Sequence, residues 1–269
     1  MAGRRFAVEL APDRVLVWVR GEGLIVDEPN LLRWAESGGR LVASGEAARR
    51  EAPGTELVEP MGIFELRHGE ASAQLLRQLS SRAVGRISFA RHELVLAVSA
   101  QLSTSARRVL LQAALDSGAR MAHVLDLPLA LAFGAGLPVT SWDPSPMLYL
   151  LPQGAQAAIV CHHGMLAHGA VEVELAPGSP GERAAEDVLG LFEGVIEEAP
   201  HTHRQRVKSQ PLHLAGRGVD LEGWRDLLVR RTGFRTRVVP DPAHSAVKGA
   251  EVALERVAGS GSRALLYLR

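Results

Sequence analysis

The sequence predicts an α/β fold built in two halves. Strand-like and helical segments alternate along the chain, each half opens with three short strands in succession, and Leu94-Val95-Leu96-Ala97-Val98 is apolar without a break. An unbroken apolar strand is buried on both faces, and such strands belong to sheets covered by helices.

The elements follow in order. Phe6 to Leu10 alternates as a strand does, and Arg14 to Arg20 places Val15, Val17 and Val19 on one face with Leu16 and Trp18 on the other. Ala11-Pro12-Asp13 between them reads as a tight turn. Leu24-Ile25-Val26, entered through Gly21-Glu22-Gly23, completes the first meander. Ser44 to Arg50 reads as a short helix, and Ala71 to Val84 as a longer one with Leu75, Leu76 and Leu79 at helical spacing. Thr104 is the expected N-cap of a helix reaching about Ser117, with Gly118 as its stop. His123-Val124-Leu125 is the next strand. Pro128 to Phe133 starts a helix, because proline fits a first turn.

Pro138 to Pro146 carries three prolines, Asp143 and two serines, and reads as the link between the halves, 1–140 and 141–269. A second meander follows over Met147–Leu151, Ala157–Cys161 and Met165–Leu175. After the breaker cluster Ala176 to Gly181, Glu182 to Glu198 is a helix with Val188, Leu189, Phe192, Val195 and Ile196 on one side. Leu212-His213-Leu214 is a strand, Leu221 to Arg231 a helix, Arg237-Val238-Val239 a strand and Ser245 to Val257 a final helix.

Composition narrows the function classes. The 269 residues carry 30 basic and 30 acidic side chains, so the formal charge is zero and no general nucleic-acid binder is indicated. The one cysteine, Cys161, excludes an internal disulfide and fits a reducing, cytoplasmic setting. No apolar run reaches the roughly 18 residues of a spanning helix, and Met1 to Leu10 lacks a signal-peptide core.

Three segments, in order, carry a family resemblance. These are VRGEGLIVDEPN (Val19 to Asn30), ARRVLLQAALDSGARMAHVLDLPLALAFGAGLPV (ending at Val139), and Leu214 to Leu254 with LAGRGVDLEGWRDLL and VVPDPAHSAVKGAEVAL. Together they resemble MreB, the bacterial actin. The resemblance implies a duplicated actin-like (ribonuclease H-like) fold. It also implies a cytoplasmic protein at the inner face of the membrane, tied to cell shape or wall synthesis. The expected partners are MreB-family filaments, envelope or wall-synthesis proteins, or further copies of itself.

The departures from the family shape the functional expectation. Actin-fold ATPases hold phosphates with two hairpin turns whose backbone N–H groups face the anion, and glycines allow the close approach. Where the family has DxGTxNT, this chain has Glu9-Leu10-Ala11-Pro12-Asp13-Arg14-Val15; Pro12 removes a donor and Asp13 adds negative charge. Where the family has DIGGGTT, this chain has Leu150-Leu151-Pro152-Gln153-Gly154-Ala155-Gln156. The family's water-positioning glutamate is matched by Leu127, with Asp126 one residue too early. Losing these groups together leaves phosphoryl transfer without its usual catalysts, so the expectation is a pseudo-ATPase. The adenosine-side turn Gly216-Arg217-Gly218 keeps two of three glycines. No cofactor is expected, and ATP is the single candidate left open, at Gly216 and Gly218.

The resemblance also implies a trimmed molecule. The second half lacks its upper lobe, because Ala176 to Gly181 leads straight into the next helix, and the first half keeps a reduced one near 31–60. Ile87 and Phe89, among Arg82, Arg86 and Arg91, match the family's membrane-contact loop and are candidates for a peripheral membrane contact. His162-His163 and His201-Thr202-His203 lack supporting ligands at metal spacing, so no metal is expected. Cys161 reads as a small core residue, and His203 to Lys208 as a solvated basic loop suited to anionic lipid or an acidic partner. Two other functions remain open: a filament-forming bacterial actin that hydrolyses ATP slowly, and a regulatory module that binds a small molecule or partner in the old cleft.

Overall fold

Val15, Val17 and Val19 recur at every second residue, and in the computed structural model all three side chains enter the core of a sheet. The structure describes residues 4–85, 92–162, 164–175, 178 and 181–260. They form two compact units, one comprising Met1–Leu125 and Ala250–Arg269, the other Asp126–Gly249.

In the first unit, β1 (Arg5–Leu10), β2 (Arg14–Val19) and β3 (Gly23–Pro29) form an antiparallel meander. β1 also pairs in parallel with β7 (His92–Val98), and β8 (Ala119–Asp126) completes the order β3-β2-β1-β7-β8. Every residue of β7 is buried, as its apolar run requires. Helices α1 (Gly69–Val84) and α2 (Thr104–Asp116) supply Leu75, Leu76, Leu79 and Leu110 to the core that Phe6, Val8, Leu94 and Leu96 enter from the sheet. The N-cap of α2 is Ser103 rather than Thr104, since the Ser103 Oγ accepts the Ala106 N–H at 3.2 Å.

The 31–60 region is more ordered than its sequence suggests. β4 (Leu32–Ala35), β5 (Arg40–Ser44) and β6 (Thr55–Val58) form a separate sheet in the order β5-β4-β6, with a 3-10 turn at Gly45–Arg49. These strands are short, and their buried residues are the consecutive Leu32, Arg33 and Trp34 of β4, so their periodicity is weak. Two side chains of α1 tie the sheet to the helix: the Gln74 amide donates to the Gly39 carbonyl and accepts from the Leu41 N–H, each at 2.8 Å, and the Gln78 carbonyl oxygen accepts from the Ser44 hydroxyl at 3.1 Å.

The second unit repeats the topology. β9 (Ser145–Leu151), β10 (Gly154–Cys161) and β11 (Gly164–Glu172) form the meander, and β12 (Leu212–Gly216) and β13 (Thr236–Val238) add in parallel, in the order β11-β10-β9-β12-β13. The helices are α3 (Leu127–Gly134), α4 (Glu182–Glu198), α5 (His201–Ser209), α6 (Leu221–Thr232) and α7 (Ser245–Ser260). Leu148, Leu150 and Ile159 meet Val188, Phe192, Trp224 and Leu228 in its core.

One further expectation is corrected. His203 to Lys208 lies in helix α5 and not in a loop. Val207 is its one fully buried anchor, so tertiary contact and not amphipathic periodicity holds it. The two compact units divide after Leu125. α3 packs on β9 and β10, while the end of α7 belongs to the first unit, where Glu255 pairs with Arg5 and Arg20.

Candidate functional site

The first hairpin turn is closed by its own chain. β1 and β2 pair up to Leu10 and Val15, and the Ala11 N–H donates to the Arg14 carbonyl at 3.1 Å. Pro12 has no N–H. The turn is gripped from outside by Asn30, which is buried: its side-chain amide donates to the Ala11 carbonyl at 2.8 Å and its backbone N–H to the Asp13 carbonyl at 3.0 Å. Arg14 turns away and pairs with Asp27. Glu9, at the position of the family's first aspartate, is fully buried on β1.

The second hairpin is a two-residue loop, Pro152-Gln153, between the paired Leu151 and Gly154. Its carbonyls are also committed: Pro152 accepts from the Leu175 N–H at 2.8 Å and Gln153 from the Val173 N–H at 3.2 Å. Leu150, at the position of the family's metal-side carboxylate, is fully buried in the core.

The glycine turn after β12 adjoins this loop. Gly216 has φ of +142°, and a Cβ there would overlap the Leu150 carbonyl; a Cβ on Gly218, where φ is +73°, would lie 2.7 Å from Pro152 Cγ. Both glycines are therefore required by the neighbouring hairpin. Between them the Arg217 side chain is 8% exposed. Its Nη1 donates to the Tyr149 hydroxyl at 2.6 Å and to the Ala243 carbonyl at 3.3 Å. Its backbone N–H reaches the Leu150 carbonyl at 3.1 Å. Asp220 then caps α6, its Oδ1 accepting from the Gly223 N–H at 3.0 Å.

A magnesium triphosphate needs converging N–H donors and a carboxylate near the metal. Ala11 has spent its N–H, Pro12 and Pro152 have none, and Leu150 offers no oxygen from its side chain. The two hairpins do not match that donor set.

The other candidates are dispersed. Leu127 is fully buried at the start of α3, and Asp126 precedes it at the N-cap position without a side-chain capping bond. Ile87, Phe89 and His163 lie outside the described residues. His162 meets the Trp142 ring in a tilted contact with centroids 4.6 Å apart, while His201 and His203 lie on α5. Among the described residues no three His, Cys, Asp or Glu side chains gather to hold a metal. Cys161 is buried on β10.

A charged cluster lies elsewhere in the first unit, around Glu93. Burial alone would raise the Glu93 carboxyl, but hydrogen bonds from Arg5, at 2.7 Å, and from Arg120 outweigh it and hold Glu93 below the usual range. Burial pushes His92 and His123 below the ordinary imidazole value. Sequence reasoning missed this cluster, the Asn30 clamp and the Arg217–Tyr149 pair. A signal for the last was available: one of only two tyrosines lies mid-strand, and an arginine stands between two glycines.

Comparison with known proteins places this geometry. The crystal structure of MreB5 of Spiroplasma citri bound to ADP superimposes with a TM-score of 0.83 at 14% identity, covering 97% of this chain and 99% of that one. The fold is thus that of the bacterial actins, a duplicated ribonuclease H-like architecture in trimmed form. Among curated relatives, the cell shape-determining protein Mbl of Bacillus subtilis (strain 168) is 22% identical over 52% of this chain. The cell shape-determining protein MreB of Escherichia coli (strain K12) is 21% identical over 96% of this chain and 95% of its own length. The match to Mbl spans 43% of that relative, less than half its length. A family model described as MreB/Mbl protein matches residues 3–175, and the chain belongs to that family. No helix among the described residues is long and apolar enough to cross a membrane.

Proposed function

We propose that this chain is a non-catalytic MreB-like subunit. It acts as a scaffold in cell shape or wall synthesis, through contacts with MreB-family filaments or envelope proteins, in the cytoplasm beneath the membrane. In this reading it needs no cofactor.

One observation carries the proposal: the turn residues that would serve a nucleotide are engaged with their own chain. Arg217 is folded onto Tyr149, the Pro152 ring adjoins Gly218, and Asn30 holds the Pro12 turn closed. Binding a triphosphate at these turns would mean breaking buried hydrogen bonds, each net worth about 0.5–1.5 kcal/mol and more where a charge is left unpaired.

The test is a titration with a fluorescent ATP analogue, with and without magnesium, alongside a phosphate-release assay. Absence of saturable, magnesium-dependent binding and of released phosphate is expected; turnover above the buffer rate overturns the pseudo-ATPase reading. Co-pelleting with a full-length MreB tests the scaffold role separately, and the chain is expected in the pellet only when filaments are present.

A further inference from the structure

We propose that the outer edge of β13 is a docking site for an extended acidic segment of another protein, which adds a strand to the five-stranded sheet of the second unit. Its occupancy does not depend on what the nucleotide turns bind, so it stands or fails apart from the pseudo-ATPase reading.

β13 ends the order β11-β10-β9-β12-β13, so one of its sides faces no strand of this sheet. The other side is fixed by the parallel register that sets Leu212 opposite Thr236, His213 opposite Arg237 and Leu214 opposite Val238. The Arg235 carbonyl accepts from the Leu212 N–H at 2.8 Å, and the Val239 N–H donates to the Leu214 carbonyl at 2.9 Å. Backbone polar groups alternate in direction along a strand, so residues 235, 237 and 239 address β12. The N–H and C=O groups of Thr236 and Val238 therefore point outward, and among the described residues no backbone group takes them up. Such an edge is a template for another chain.

Charge selects the occupant. Residues 229–240 hold four arginines, Arg230, Arg231, Arg235 and Arg237, and no acid. All four are exposed, and none forms an ion pair among the described residues. At β3, an edge of the other five-stranded sheet, the charges are internally matched: Asp27 pairs with Arg14 and Glu28 with Arg82. The dipole of α6 accounts for Arg230 and Arg231 at its C-terminus. It does not account for Arg235 and Arg237, which flank Thr236 on the open strand. Like charges directly opposite one another destabilise a strand pair, so this edge repels the same edge of a second copy. A strand carrying carboxylates meets the reverse. The acidic helix α4 cannot serve, because its backbone groups are already used within the helix.

Strand geometry sets the sequence pattern of the partner. Side chains alternate between the two faces of a sheet. Thr236 and Val238 share the face of Leu212 and Leu214, and Val238 packs against the core there. Arg237 lies on the opposite face, beside His213, and Arg235 falls in phase with it. The occupant therefore carries carboxylates at every second position, on the arginine face, with apolar residues between them on the face of Val238. Main-chain hydrogen bonds to Thr236 and Val238 supply affinity, and the alternation of side chains supplies specificity.

The probe is a fluorescently labelled peptide, Gly-Ser-Glu-Val-Glu-Val-Glu-Gly-Ser, titrated with the full chain. Saturable binding with a dissociation constant below about 1 mM is expected, weakening as salt rises. At saturation, amide hydrogen exchange at Thr236 and Val238 is expected to slow, because a docked strand covers their outward N–H groups. The same peptide N-methylated at every Glu and Val is expected not to bind, since it has lost the donors that pair with an edge. The double variant Arg235→Glu/Arg237→Glu is expected to bind the acidic peptide at least about tenfold more weakly and to gain binding to the Lys-Val-Lys-Val-Lys counterpart. Circular dichroism checks that the variant folds, and the exchange readout on the native chain stands without it. No binding up to about 1 mM overturns the proposal. Unchanged exchange at Thr236 and Val238, or equal binding of the N-methylated peptide, overturns it as well, leaving only an unspecific anion patch. Pelleting on phosphatidylglycerol vesicles that depends on Arg235 and Arg237, without peptide binding, overturns it in favour of a lipid surface.

Discussion

The Arg217 guanidinium and the Tyr149 hydroxyl are joined at 2.6 Å inside the second unit, and both residues are buried. A strand residue thereby holds the middle position of a turn whose counterpart in the family is glycine. Tyr149→Phe removes the acceptor and leaves a buried charged donor short of a partner, at a cost of about 1.5–3 kcal/mol. A lower urea midpoint with an unchanged slope is expected; an unchanged midpoint would show that the bond is not needed.

Gly134 on α3 and Gly249 on α7 mark a helix crossing with no room for a methyl group. A Cβ on Gly134 would overlap the Ser245 carbonyl, and one on Gly249 the Ala130 carbonyl. Gly249→Ala is expected to cost about 1–3 kcal/mol or more through overpacking, although alanine is the better helix former. A Tm equal to or above the native value would refute the close crossing.

Pro152 and Gly218 form a testable pair. Gly218→Ala puts its methyl against the proline ring and also strains a positive φ. In a Pro152→Gly background the first penalty disappears and the second remains. The double-mutant cycle is expected to show a coupling of about 0.5–3 kcal/mol; strict additivity would mean that the ring and the turn do not touch.

Buried histidines set the acid response. In the unfolded chain His92 and His123 take up protons near about 6.5, but burial in the folded chain opposes this. Below that value the unfolded state binds more protons, so stability falls as pH falls. Glu93 acts in the same direction at lower pH, because its pairing with Arg5 and Arg120 favours the ionised form that acid removes. Glu251 acts oppositely: burial, with Glu255 nearby, raises it, so its cost at neutral pH is relieved by acid. A urea midpoint that drops between about pH 7.5 and about pH 5.5 is expected; His213, lowered by burial and by Arg237, adds to the drop, and replacing His92, His123 and His213 with Gln should flatten it. A flat native profile would contradict the assignment.

The strands and helices most legible in the sequence were those with a strong period or an unbroken apolar run. α4 matches its expected span, and β2 and β7 follow from Val15-Val17-Val19 and from Leu94 to Val98. Legibility failed where contacts distant in sequence decide the outcome. Nothing local marks Gln74 as the tie to Gly39 and Leu41, or makes the polar stretch of α5 a helix. The altered turns could be read residue by residue, since Pro12 and Pro152 forfeit an N–H wherever they stand. What holds these turns could not, because Asn30 and Arg217 act on partners 19 and 68 positions away.

The Asn30 clamp has an evolutionary consequence. A hairpin bend that is stapled from a neighbouring strand end keeps its contour whatever occupies the bend itself. Residues 11–13 can thus take the composition Ala-Pro-Asp without unfolding the sheet. Backbone path and turn composition are separately encoded at this corner, so a change in one leaves no mark on the other.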